Sequence, residues 1–269
     1  RAVFISDVHL GTSDCQAQYL LDFLRNHRMD FLYLVGDIVD LLYMRKRVNF
    51  TALHEDVVQE VLQLARQGTR VVYIPGNHDA RLRRFCGEKF WGIEVHRHFV
   101  HQSADGRQFF VSHGDEFYSA IHAGVFWSLV GDFSHTLLLR LNTLVNGARR
   151  FLKLPYWSLA GHIKNKIGKA AEFIRRFELI AAHKARELSY DGYICGHIHQ
   201  SGMRRINGVL YCNDGDWVEH CTALVEEKNG QFSLVHWADR KEVLLREQEL
   251  PEHWDALPQS PVTEGGRIS

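Results

Sequence analysis

Five short clusters of metal-competent side chains punctuate the chain: Asp7-Val8-His9, Gly36-Asp37, Gly76-Asn77-His78-Asp79, His113-Gly114-Asp115 and Gly196-His197-Ile198-His199. Each directly follows an apolar run. Their donors are carboxylate oxygen, imidazole nitrogen and one amide oxygen. That set suits borderline divalent ions such as manganese, iron, cobalt or zinc and excludes a thiolate site. There are enough donors for two ions. Two ions at one site lower the pKa of a shared water and clamp phosphoryl oxygens, so the chemistry indicated is hydrolysis of a phosphate ester or pyrophosphate. Taken singly, each cluster is weak evidence, because D-x-H arises by chance and a histidine on a strand is more often structural. The conjunction is much stronger. Seven polar side chains gathered on one edge for packing alone would be buried without partners, at high cost.

Convergence of residues from Asp7 to His199 requires a sheet whose strand ends share an edge. The segments Ala2–Ile5, Phe31–Val35 and Val71–Ile74 are short apolar runs rich in Val, Ile, Phe and Tyr. Between them, Gln16–Asn26 and Ala52–Arg66 carry helical apolar spacing, so the first part reads as a layered α/β fold. Later segments read as hairpins: Phe99–Gln102 with Gln108–Ser112, Arg204–Ile206 with Val209–Cys212 around Asn207-Gly208, and Thr222–Glu226 with Phe232–His236. Strand alternation is expected to send Asp7 and His9 to one face, and likewise His197 and His199. Glycines 36, 76, 114 and 196 permit tight turns and close backbone approach.

From about Phe117 to Tyr190 the rhythm becomes helical, and the charge becomes lopsided. Eleven Lys and Arg face four acids there, a net +7 that the rest of the chain balances, since Lys plus Arg and Asp plus Glu are 32 each. This asymmetry points to an anionic partner. The domain reading is a core over 1–116 and 191–245, a helical insertion over 117–190, and a polar tail over 246–269. The 17 histidines are dispersed, which fits metal or acid–base chemistry rather than a tag. Five cysteines, odd in number and without a C-x-x-C pair, exclude a disulfide framework and fit a reducing compartment. No signal-peptide pattern and no 18-residue uncharged apolar stretch is present. The localisation expected is cytoplasmic. Nucleic acid is not an expected partner, because the basic residues lie in one insert without an aromatic-and-basic channel.

The order D-x-H, G-D-x-x-D, G-N-H-D, H-G-D and G-H-x-H, running from Phe4 to about Glu227, resembles that of calcineurin-like metallophosphoesterases. The resemblance implies an α/β/β/α sandwich with a helical cap. It implies that one ion is held by Asp7, His9, Asp37 and His199, and the other by Asp37, Asn77, His113 and His197, with Asp37 bridging. It also implies two divalent ions, with manganese as the first choice and iron, cobalt or zinc as alternatives, and in-line attack on phosphorus by a bridging hydroxide. His78 becomes the acid or transition-state stabiliser and Asp40 the residue that orients it. A histidine beside a carboxylate keeps a raised pKa and can donate to a leaving oxygen. Asp40 also has a competing reading as a helix cap. Asp79 and Asp115 are taken as supporting residues.

The insertion resembles the cap of the UDP-2,3-diacylglucosamine pyrophosphohydrolase group, peripheral enzymes of lipid A synthesis. The stretch Tyr211-Cys212-Asn213-Asp214-Gly215-Asp216-Trp217-Val218-Glu219 resembles that group and its paralogs as well. That group carries Arg in the G-N-H-D block, where this chain has His78, the residue of the broad family. The expected substrate is anionic and phosphorylated, either nucleotide- and lipid-linked or, as the rival, a soluble nucleotide or phosphomonoester. A scaffold that keeps the metals without activity is the rival of a different class. Asn77, His78 and His197 are expected to touch substrate, and Lys164, Lys166 and Lys169 are phosphate contacts by charge alone. The apolar stretch Gly124–Val145, followed by Arg149, Arg150 and Lys153, fits an acyl-chain pocket or a peripheral contact with the inner membrane face as well as it fits a helical core.

Overall fold

The computed structural model describes residues 1–117 and 168–251. Two sheets pack face to face with helices outside them. The first has eight strands, in spatial order β13-β12-β11-β1-β2-β3-β5-β4: β1 (Ala2–Ile5), β2 (Phe31–Leu34), β3 (Arg70–Tyr73), β4 (Lys89–Phe90), β5 (Ile93–Val95), β11 (Thr222–Glu226), β12 (Phe232–Trp237) and β13 (Lys241–Arg246). The second has five, in order β6-β7-β8-β10-β9: β6 (Phe99–Gln102), β7 (Gln108–Val111), β8 (Gly192–Cys195), β9 (Gly202–Ile206) and β10 (Val209–Asn213). The helices are α1 (Ala17–Asn26), the one-turn α2 (Leu41–Met44), α3 (Ala52–Arg66) and α4 (Gly168–Glu187).

Three apolar clusters account for the four layers. Val3, Ile5, Leu32, Leu34 and Val71 alternate toward α1 and α3, against Leu20, Phe23, Leu24, Val57 and Val61. Their neighbours Phe4, Tyr33, Val35, Val72 and Ile74 point the other way and meet Phe109, Val111, Ile194 and Leu210 of the second sheet. On the far side, Phe110, Tyr193, Cys195 and Tyr211 receive Phe177, Ala181, Ala182 and Ala185 of α4. Each strand between two apolar layers must be apolar on both faces, which is why β1 and β8 are continuous buried runs. The fold is therefore the layered α/β architecture the sequence predicts, and the expected hairpins are present as β6–β7, β9–β10 and β11–β12.

Two segments behave otherwise than their sequence suggests. Helix α4 falls in the stretch expected as a cap, yet its small residues lie on the second sheet as an outer layer. Arg246–Leu250, expected to open a polar tail, holds buried Glu247, which accepts from Arg107 (2.6 and 3.0 Å) and Arg205 (2.6 Å). The rest of the expected insertion, 118–167, and the tail from 252 lie outside the described residues. All five cysteines are free thiols. No described helix is long and apolar enough to cross a membrane.

The topology sets the position of the chemistry. Strands β1, β2 and β3 run parallel in one sheet, and β7, β8 and β10 run parallel in the other. All five clusters follow directly from the carboxyl ends of β1, β2, β3, β7 and β8.

Candidate metal centre

The loops after β1 and β2 run side by side, joined by Asp7 N–H to Gly36 O (3.0 Å), His9 N–H to Asp37 O (2.9 Å) and Leu10 N–H to Ile38 O (2.9 Å). Within them Asp7 (φ 49°), His9 (φ 52°) and Asp37 (φ 53°) take left-handed backbone, as do His197 (φ 70°) and His199 (φ 49°) after β8. L-residues rarely adopt that region, and its strain persists only where the surrounding structure enforces it. This corrects the alternation argument. Asp7 and His9, and His197 and His199, lie beyond the strands, and left-handed turns rather than a pleat bring them to one side. Gly36 (φ 86°) is required for a second reason, because a Cβ there would run into the His113 ring.

Two equivalent halves result. Asp7 Oδ2 accepts the His197 amide (2.8 Å) while its Oδ1 stands 3.2 Å from His199 Nε2. Asp37 Oδ1 accepts the His78 amide (2.7 Å) while its Oδ2 stands 3.3 Å from His113 Nε2. His113 Nδ1–H donates to the Val35 carbonyl (2.8 Å), so Nε2 is the nitrogen presented inward, also 3.2 Å from Asn77 Oδ1. Ligand atoms from Asp7, His9 and His199 all lie within 4.8 Å of one another, as do those from Asp37, His113 and His197. A third such group, His9, Asp40 and His78, has one carboxylate at its centre.

Asp40 caps a helix and also faces two imidazoles. Its Oδ1 caps α2 by accepting Tyr43 N–H (2.7 Å), and its Oδ2 lies 3.0 Å from His9 Nδ1 and 2.9 Å from His78 Nδ1. Burial opposes ionisation of Asp40, but the bonds from His78 and His9 hold its carboxyl below the usual range. Burial likewise works against a charge on His9, and the Asp40 bond with the charges of Asp37 and Asp7 outweighs it, raising His9 to about 9. His113 is raised by Asp37 against its burial. His197 is lowered to about 4 by burial and by the His113 charge, which keeps it neutral. Burial resists ionisation of Asp7 and Asp37 too, yet neighbouring imidazoles, His199 for Asp7 and His113 for Asp37, keep both lowered.

The site fits cations on a direct observation. Asp7 Oδ1 and His9 Nε2 are buried and make no hydrogen bond. An unpartnered buried carboxylate oxygen and ring nitrogen are costly, and a divalent ion among carboxylate and imidazole donors would satisfy both once the His9 proton is lost.

Asp79 accepts from Gly76 N–H (2.5 Å), Ile38 N–H (3.0 Å) and Tyr73 O–H (2.5 Å), which ties the Asn77 loop to the Asp37 loop. Asp115 takes a two-pronged contact from Arg83, at 2.7 Å to each oxygen. Sequence reasoning missed Asp216. It is fully buried, its Oδ1 accepts from the backbone of Val218 and His220 (2.9 and 3.0 Å), and its Oδ2 lies 2.5 Å from His220 Nδ1 and 3.9 Å from His199 Nδ1. The signal was present, since Gly215-Asp216 follows the β10 strand as the other clusters follow theirs. Lys164 and Lys166 lie outside the described residues. Lys169 lies in α4, but its side chain is not among those described.

A sequence profile of the calcineurin-like phosphoesterases matches residues 1–201. The chain belongs to that family. It is accordingly a metal-dependent phosphoesterase. This phosphoesterase is 26% identical over 251 residues to a UDP-2,3-diacylglucosamine hydrolase of Porphyromonas gingivalis, covering 82% of this chain and 91% of that protein. It is 21% identical over 240 residues to a protein of the same name from Haemophilus influenzae, covering 87% and 98%. Among solved structures it is similar to a Vps29 point mutant from Entamoeba histolytica, at 14% identity and a TM-score of 0.45, over 91% of this chain and 98% of that one.

Proposed function

We propose that the phosphoesterase cleaves the pyrophosphate bond of a nucleotide-linked, acylated sugar of the UDP-2,3-diacylglucosamine kind. In this reading Asp7, His9, Asp37 and His199 hold one divalent ion and Asp37, Asn77, His113 and His197 hold the other, with manganese the first choice. The observation that carries the metal reading is the pair of buried, unpartnered ligand atoms Asp7 Oδ1 and His9 Nε2, whose residues take left-handed backbone as Asp37, His197 and His199 do. When bound, divalent ions supply Lewis-acid stabilisation of phosphoryl oxygens and a water of lowered pKa. The chain's own groups do the rest. Asp37 and Asp7 fix the inward imidazoles. Asn77 and His197 face the same space and orient the phosphoryl group. His78, whose side chain is about one-third exposed (34%), has its Nδ1 2.9 Å from Asp40 Oδ2 and donates a proton to the leaving oxygen.

The relatives' names support the substrate, and so does the rim of the site. Beside Asp40, the segment from Leu42 to Val48 exposes Leu42, Tyr43 and Val48 together with Arg45, Lys46 and Arg47, and it contains no acid. An apolar and basic rim suits an acylated, anionic substrate and a peripheral position at a membrane surface. Lys164, Lys166 and Lys169 join this reading as phosphate contacts by charge alone.

The test is a substrate comparison with manganese-loaded protein. Release of UMP from UDP-2,3-diacylglucosamine is expected to exceed release from UDP-N-acetylglucosamine by about 10²-fold or more in kcat/KM, since binding energy from remote parts of a substrate is used at the reacting bond. Equal rates on both, or hydrolysis restricted to soluble phosphomonoesters, would refute the lipid-linked reading.

A further inference from the structure

Ser6 is buried immediately before Asp7. Its hydroxyl oxygen lies 2.6 Å from Asp7 Oδ2, 2.6 Å from Asp214 Oδ1 and 3.1 Å from the Gly215 carbonyl oxygen. A hydroxyl carries one proton. Two carboxyl oxygens at 2.6 Å both require a hydrogen bond with Ser6, so a second proton must reside on one of the two acids. Asp7 faces His199 Nε2 at 3.2 Å and accepts the His197 amide at 2.8 Å, surroundings that favour its ionised form. Asp214 has neither. It is fully buried, no salt bridge reaches it among the described residues, and its Oδ2 makes no hydrogen bond. Burial, reinforced by the charge of Asp7, pushes its carboxyl well above the ordinary range.

We propose that Asp214 is a neutral carboxylic acid that donates its proton to Ser6 Oγ, so that Ser6 in turn donates to Asp7 Oδ2 and holds Asp7 with Oδ1 directed into the metal cluster. Asp214 and Ser6 are thus positioning residues, acting through Asp7 and touching no substrate. The inference rests on the reading of Asp7 as a metal ligand. Two further contacts hold the chain of bonds in place. A Cβ at Gly196 would collide with Ser6 Oγ and Asp7 Oδ2, so glycine keeps the space for the relay. Thr222 Oγ1 donates to the Asp214 carbonyl (2.7 Å) and fixes the turn that carries the acid.

Asp214→Asn is the discriminating variant, because the amide NH2 replaces the acid O–H as donor to Ser6 without changing charge. Calorimetric titration of Mn2+ into metal-free protein is expected to give an affinity for Asp214→Asn within about three-fold of the wild type, and a loss of about 10–100-fold for Ser6→Ala, the usual cost of an outer-shell partner. The infrared difference spectrum of metal-free wild type minus Asp214→Asn at neutral pH is expected to show a protonated-carboxyl band, a readout independent of metal and of activity. Absence of that band, or a ten-fold or greater loss of Mn2+ affinity in Asp214→Asn, would mean that Asp214 is ionised and would overturn the proposal. Asp7→Ala keeps the two readings apart. Unchanged Mn2+ affinity in that variant would remove Asp7 as a ligand, while the infrared band still decides the state of Asp214.

Discussion

Asp40→Asn tests the division of labour in the site. One carboxylate oxygen serves His9 and His78 at 3.0 and 2.9 Å, and the other caps α2 at 2.7 Å. An amide cannot do both. With its oxygen on Tyr43 N–H it presents a donor to two ring nitrogens that need an acceptor. Turned around, it loses the cap, which is worth about 1 kcal/mol. Hydrogen bonds to charged groups contribute about 1.5–3 kcal/mol each, and half-replaced ones less, so an overall destabilisation of about 1–3 kcal/mol is expected. In a chain of this size that lowers Tm by roughly 2–10 °C. The larger effect falls on proton donation, where loss of a positioned acid costs about 10²–10³ in kcat, or about 3–4 kcal/mol. The assay is steady-state hydrolysis, at saturating Mn2+, of diesters that differ only in the leaving group. An alcohol leaving group needs a proton and should show the full loss. A nitrophenolate does not, and should lose about ten-fold or less. Equal losses for the two leaving groups would refute the assignment of His78 and Asp40 to proton delivery.

Four other outcomes follow from the geometry. Asp37→Ala should leave no more than about a few per cent of turnover if, as proposed, Asp37 is the shared ligand of both ions; higher residual kcat at saturating metal would refute bridging. The affinity of the metal-free protein for Mn2+ should rise with pH up to about 9, because binding must displace the His9 proton. The sign for stability is opposite: His9 has a folded pKa raised above its unfolded value, so its contribution is complete below about pH 6.5 and is lost as pH rises through about 9. Melting curves without metal and titrations in buffers of different ionisation enthalpy check both trends; affinity that is flat with pH would contradict them. Gly36→Ala, forced into left-handed backbone with a Cβ against the His113 ring, should lower Tm by several degrees and reduce bound metal from about two ions to one, as read by elemental analysis.

The fold was legible because its strands are apolar on both faces and end in polar clusters. Ala2–Ile5 and Phe31–Leu34 can be read directly as buried parallel strands. Lys89–Phe90 and Ile93–Val95 cannot, since two or three residues carry no period. Helix α4 reads as part of the insertion because it continues a helical stretch of net positive charge, while the alanines that pack on the sheet are small and quiet in sequence. Within the site, residue types sufficed to pick out the cluster, but not the way it forms. Left-handed backbone at Asp7, His9, Asp37, His197 and His199 has no signature in a non-glycine sequence. Ser6 and Asp214 were missed for a related reason. Their roles depend on turns that bring a residue after β10 against a residue after β1, a contact between positions 208 apart.

Anomalous diffraction from a crystal grown with Mn2+ addresses directly whether two ions sit between the two halves of this cluster. The expected map has two peaks, one among Asp7, His9 and His199 and one among Asp37, His113 and His197, with density from the Asp37 carboxylate reaching both and no ion among His9, Asp40 and His78. A single peak, or a peak centred on Asp40 and His78, would contradict the account.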